Sequence, residues 1–230
     1  MVKALSALVP QLGHALAPGT EVVLHELARL PNSIIAIGNP LTGRSIGDPP
    51  TDLLLQDVRE SRFEDRFQYD ALAMTGRAFR SSTVYVRDSS GAPIAALCLN
   101  RDLSGLTRAR DFVQAELTGA GPSIEGNRSE SGLQQRTEAF PRGIRELADL
   151  LLERAITGVG VPTSLMTKRH MLLVVEYLER HGFFLIRDAI ELAAAALGVT
   201  RYTIYNYLRE VGGGSRMRGR SELRAEIGEK

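Results

Sequence analysis

The chain opens with apolar residues at three- and four-residue steps. Leu5, Leu8, Val9, Leu12 and Leu16 share one side of a helix predicted over residues 3–16. Two β-rich runs follow, 21–27 (EVVLHEL) and 33–37 (SIIAI), separated by Pro31-Asn32. Residues 52–60 predict a helix. At 81–87 (SSTVYVR) the pattern alternates, with Thr83, Tyr85 and Arg87 opposite Val84 and Val86. The turn Asp88-Ser89-Ser90-Gly91 leads into a further strand at 92–100 (APIAALCLN), so these two strands form a hairpin. Residues 106–117 return to helical spacing. An antiparallel sheet with helices to one side predicts an α+β domain over residues 1–118.

From Phe140 onward the period is helical throughout. Ile144, Leu147, Leu151 and Ala155 mark a helix over 143–156. Met171, Val174, Val175 and Leu178 mark another over 167–181, with Thr167 as its cap and Gly182 as its stop. An all-α domain is expected over 142–211. Residues 119–141, rich in Gly, Ser, Glu and Arg, read as a linker, and 212–230 as a flexible basic tail.

Chemistry concentrates at 188–210. A helix from Asp188 stops at Gly198, and a second begins after Val199, with Thr200 as its cap. A glycine in so short a turn permits the positive φ that sets two helices steeply across one another. Ala194 keeps the approach close, and Leu192, Leu197, Ile204 and Leu208 supply a small core. The opposite side of the second helix offers Arg201, Tyr202, Thr203, Asn206 and Arg209. Arginine pairs bidentately with guanine and asparagine with adenine, while Thr and Tyr contact phosphate or a thymine methyl. Tyr202, Tyr205 and Tyr207 suit phosphate contact, with one or two of them available to the core. From 201 to 220 the basic residues are Arg201, Arg209, Arg216, Arg218 and Arg220. An ordinary helical hairpin with a solvated arginine face is the alternative.

Composition changes little of this. The net charge of +1 is too small to point to nucleic acid, so any basic surface is local. The single cysteine, Cys98, fits a reducing cytosol, and no stretch reaches the ~20 apolar residues of a membrane span, so a cytoplasmic protein without a membrane partner is expected. His14, His25, His170 and His181 are scattered without metal-ligand spacing. No phosphate-binding glycine loop or nucleophile turn is present, so no metal, cofactor or catalytic residue is predicted. Cys98 reads as a small core residue.

The string GVTRYTIYNYLREV at 198–211 resembles the helix-turn-helix of the YheO-like regulators. Residues 21–27, 35–47 (IAIGNPLTGRSIG), 80–88 and 97–102 resemble that family's PAS domain. The resemblance implies a PAS-like sensory domain joined to a DNA-binding domain, with transcriptional regulation as the activity. This chain has Asn39-Pro40 where the family usually has Asn-Gly; a proline cannot supply a positive φ, so that loop is expected to differ.

PAS-like folds often hold a small molecule between sheet and helices. His25, Glu26, Asn39, Arg44, Ser81, Ser82, Thr83 and Asn100 are polar residues set in or beside apolar strands, and are the candidates to line a pocket for a small polar metabolite bearing an amino or carboxylate group. Mutual hydrogen bonding is the alternative. The expected assembly is a dimer on a double-stranded operator, with the helix at 143–156 either joining protomers or packing on its own domain. The competing readings are a PAS-type module without sequence-specific DNA binding, and an enzyme. The latter has only His25-Glu26 as an adjacent acid–base pair, on opposite faces of a strand.

Overall fold

The computed structural model describes residues 2–73, 77–118 and 138–212. The chain divides into two compact units, one of residues 1–53 and 62–142, the other of residues 54–61 and 143–230. Most of the expected linker (119–137) and tail (213–230), with Arg216, Arg218 and Arg220, lies outside the described residues.

The first unit is built on one antiparallel five-stranded sheet, ordered β2-β1-β5-β4-β3. The strands are β1 (Thr20–Glu26), β2 (Ile34–Gly38), β3 (Arg66–Leu72), β4 (Ala78–Arg87) and β5 (Pro93–Asp102). The hairpin of β4 and β5 forms as the alternation predicts, in a register pairing Thr83 with Cys98 and Ser81 with Asn100. Strand β3 was not predicted: its residues are mostly exposed or half-buried, Gln68 has φ 56°, and its pairing with β4 is irregular between Arg66 and Tyr69.

Because side chains alternate, the sheet has two distinct faces. On one face, helix α1 (Val2–Ala15) packs through Val9 against Val22, Leu24, Ala36 and Ala95. Glycine permits that approach: a Cβ on Gly13 would stand 2.6 Å from the Gly38 carbonyl carbon, and one on Gly38 would stand 2.3 Å from Val9 O. Helix α3 (Ser104–Thr118) buries none of its residues among those described. Helix α2 spans Asp52–Arg59.

The second unit contains α4 (Ile144–Val159), α5 (Lys168–Arg180), α6 (Ala189–Leu197) and a last helix, α7, over residues 201–212. Its core is Leu147, Leu151, Val174, Val175, Leu178, Phe183, Ala193, Leu197 and Ile204. Helix α4 buries Leu147, Ala148, Leu150, Leu151, Leu152 and Ala155, and packs on α5 and α6 of its own unit. At the head of α5, His170 Nδ1 accepts the Thr167 N–H at 3.3 Å, half of a capping box.

Candidate functional site

In the second unit, α6 ends in a glycine-closed turn. Gly198 has φ 66°, its N–H reaches Ala195 O at 3.3 Å, and the Val199 N–H reaches Ala194 O at 3.0 Å. The chain then turns into α7 at once. Thr200 caps that helix, its Oγ1 accepting the Thr203 N–H at 3.2 Å. Ala194 and Leu197 are buried, and Ile204 is completely so. The next buried residue is Tyr207, whose hydroxyl meets Met171 Sδ at 3.7 Å; Leu208, expected in the core, is only half-buried, as is Leu192. A tyrosine reaches further than a leucine, so it spans the gap to α5.

The opposite side of α7 is open. Tyr202 and Tyr205 are 70% and 54% exposed, Arg201 and Arg209 are exposed, and Thr203 and Asn206 are half-buried. Each arginine already has a neighbour. Arg201 Nη1 lies 2.8 Å from Glu191 Oε1 on α6, and Arg209 donates to Asn206 Oδ1. The hydrogen bond from Arg201 holds the Glu191 carboxyl below the usual range. Glu210, the acid that follows Arg209, points to α5, with Lys168 Nζ 2.9 Å away. This is a two-helix element whose second helix presents an exposed stripe of arginine and tyrosine side chains.

The first unit carries its polar residues on the sheet face opposite α1. Alternation places Glu21, Val23 and His25 there from β1, Ser81 and Thr83 from β4, and Cys98 and Asn100 from β5. Glu21 is fully buried. Its carboxylate accepts from the backbone of Leu41 (2.8 Å) and Thr42 (3.0 Å), and from Arg44 Nη2 and Asn100 Nδ2 (3.0 Å each). Burial raises its pKa, yet Arg44 and these donors hold it below the usual carboxylate range. Asn100 Oδ1 accepts from Ser81 Oγ at 2.9 Å. Arg44 also donates to Thr42 Oγ1 at 3.0 Å, and its guanidinium lies 4.9 Å from the Phe140 ring centroid.

Further along the face, Thr83 Oγ1 sits 2.9 Å from the Tyr69 hydroxyl, and Tyr69 in turn hydrogen-bonds Glu138. Glu138 is buried; burial, with Asp52 nearby, pushes its carboxyl up to about 7 against the pull of Thr51, Arg44 and Tyr69. Burial also raises the Tyr69 phenol, with Glu138 adding to it, and pushes the Cys98 thiol up to about 12. Cys98 is buried in the sheet with Val23 and Ile34. His25 shares Nδ1 with Ser33 Oγ at 2.9 Å, and burial followed by the charge of Arg44 lowers its pKa well below 6.5.

Of the eight predicted sensor residues, His25, Arg44, Ser81, Thr83 and Asn100 therefore share this buried face. Glu26 and Ser82 do not: Glu26 pairs with Arg29 at 2.6 Å, and Ser82 accepts the Gln68 N–H at 3.0 Å. Period-two alternation turns each away from its buried neighbour. Asn39 sits in the loop beyond β2, donating to Thr20 O at 2.9 Å; it takes the positive φ (53°) itself, which is how the loop dispenses with a glycine at 40. Sequence reasoning missed Glu21, Thr42, Tyr69 and Glu138. A glutamate at the head of an otherwise apolar strand was the available signal for Glu21. Glu138 carries none, because it sits at the edge of a polar stretch.

A PAS-like unit followed by a helix-turn-helix is the architecture of a DNA-binding transcriptional regulator. The chain belongs to the YheO-like PAS family: the profile of the YheO-like PAS domain matches residues 1–118, and an HTH domain profile matches residues 147–209. An uncharacterized protein of Haemophilus influenzae is 26% identical over 92% of this chain and 91% of its own length. The protein YheO of Escherichia coli is 28% identical over 91% of this chain and 84% of its own. The transcriptional regulator DauR of Pseudomonas aeruginosa is 29% identical over 84% of this chain and 86% of its own. Among the described residues no helix is long and apolar enough to cross a membrane, and no group of three or more His, Cys, Asp or Glu side chains is arranged to hold a metal ion.

Proposed function

We propose that this protein is a ligand-responsive transcriptional regulator that reads an operator with the polar side of α7 and senses a small polar metabolite on the buried face of its sheet. The observation that carries the reading is the division of α7 into a side anchored by Ile204 and Tyr207 and a free side bearing Arg201, Tyr202, Tyr205 and Arg209. On this reading Arg201 and Asn206 contact base edges, while Thr200, Tyr202, Thr203 and Arg209 position the helix on phosphate or methyl groups. The similarity to a protein named as a transcriptional regulator supports it. One recognition helix covers little DNA, so two protomers would read half-sites about 34 Å apart. Leu106, Phe112, Val113 and Leu117 of α3 are exposed among the described residues and suit a protomer contact. No catalytic group or resident cofactor enters the mechanism.

Selection of bound fragments from genomic DNA, followed by gel shifts across a salt series, tests the reading. A selected site should be bound at least about a thousandfold more tightly than random DNA, with affinity falling steeply with salt. Arg201→Ala should weaken the selected site by about 5- to 150-fold if it reads a base, and all DNA equally if it meets phosphate. Equal, weak binding of every fragment by the unaltered protein would refute operator recognition.

A further inference from the structure

Four buried polar atoms of the first unit have no hydrogen-bond partner among the described residues; Arg80 Nε lies 2.8 Å from the Asp70 carboxylate as an ion pair, which leaves His25 Nε2, Arg44 Nη1 and Glu138 Oε2. Each side chain is otherwise held in place. His25 is held by Ser33, Arg44 by Glu21, Thr42 and the Phe140 ring, and Glu138 by Thr51 and Tyr69. All three are at least nine-tenths buried. They also belong to one neighbourhood, because the charge of Arg44 acts on both His25 and Glu138, and Cys98 in the middle of β5 feels both Arg44 and Glu138. Polar atoms at such depth are ordinarily paired, and three open valences in one buried neighbourhood point to a missing partner.

The valences state what that partner carries. A guanidinium nitrogen only donates, so Arg44 Nη1 requires an acceptor, and a carboxylate suits it best. Glu138 Oε2 is open to a donor, and an ammonium group supplies one together with the positive charge that favours the ionised carboxyl. A ligand with a carboxylate alone would leave Glu138 open and add a further anion beside Glu21 and Glu138. A ligand with an ammonium alone would leave Arg44 open. We propose, resting on the sensor reading above, that Arg44, Glu138 and His25 form the binding site of a small zwitterion. Its carboxylate lies on Arg44, its ammonium on Glu138, and a polar substituent lies within reach of His25. Glu138 and Phe140 belong to the segment that runs directly into α4, so filling the site acts on the stretch of chain that continues into the DNA-binding unit.

Thermal melting and calorimetry on the full chain test this, with the common L- and D-amino acids as probes. For each hit, the decarboxylated amine and the deaminated acid are compared with it, alongside a second panel of sugars, nucleobases and dicarboxylates. An amino acid at a hundred times its Kd should raise Tm by about 5 °C or more. Its amine and its acid should each bind at least about tenfold more weakly. Glu138→Gln should weaken the amino acid by roughly 10- to 100-fold and leave the deaminated acid unaffected. The unliganded melting temperature of that variant establishes that it folds. Equal binding of a monofunctional analogue, indifference to Glu138→Gln, or binding only from the second panel would overturn the zwitterion site and leave sensing in place. Silence from both panels would overturn sensing itself.

Discussion

Replacing Glu21 by alanine should damage the PAS-like unit more than any single hydrogen bond would suggest. The side chains of Glu21 and Arg44 are both 0% exposed, and they meet at 3.0 Å. A buried pair of this kind need not stabilise the fold relative to apolar residues, but breaking it strands the surviving charge at a cost of about 3–5 kcal/mol. The same substitution removes the acceptor for the Leu41 and Thr42 amides and for Asn100. At ~2–4 °C per kcal/mol for a chain of this length, the unit should melt roughly 10 °C lower. Circular dichroism melting of the full chain reads the shift. The double variant Glu21→Ala with Arg44→Met removes both charges and should recover about 2 kcal/mol of the loss, since only the orphaned amides and Asn100 remain. A single-variant cost below about 1 kcal/mol, or a double variant no better than the single, would show that Arg44 does not depend on Glu21.

Other expectations concern separate parts of the molecule. Glu138 holds its proton up to about pH 7 when folded but releases it near 4.5 when unfolded, so the native state binds the extra proton between those values. Its contribution to stability should therefore fall as pH rises from about 4.5 to 7, and Glu138→Gln should flatten that part of a urea-denaturation pH profile; an unchanged slope would contradict the assignment. Ile204→Ala empties a fully buried site between the two helices of the reading head and should cost about 2–5 kcal/mol, seen as early melting of the helical unit with loss of DNA binding. Glu191→Gln releases Arg201 from its neighbour, and should steepen the log–log salt dependence of DNA binding by about one while lowering preference for the selected site; a salt slope identical to that of the parent would show that Glu191 does not restrain Arg201 on DNA.

Where periodicity was strong, the chain spoke clearly. Ala194, Gly198, Thr200 and Ile204 each impose a local requirement: a small side chain, a left-handed turn, a capping hydroxyl and a buried branch. Together they define the helix-turn-helix. The β4–β5 hairpin was equally legible, because alternation and a four-residue turn both mark it. Strand β3 was not, since an edge strand with exposed sides and a positive φ at Gln68 carries neither alternation nor a continuous apolar run. Glu26 and Ser82 entered the candidate set as polar residues within apolar strands, a criterion that ignores which face each one takes, and strand geometry points them the other way. Glu138 escaped because its role depends on contacts across the fold with Tyr69 and Thr51, which no local pattern encodes.

The glycine-to-glycine seam between α1 and β2 leaves that side of the sheet almost no freedom to vary, since even one methyl group on Gly38 would collide with Val9 backbone. Positions 81, 83 and 100 answer to no such constraint from α1. The two faces of one sheet are thus governed by different rules, the α1 side by steric fit and the other by the pairing of buried polar groups.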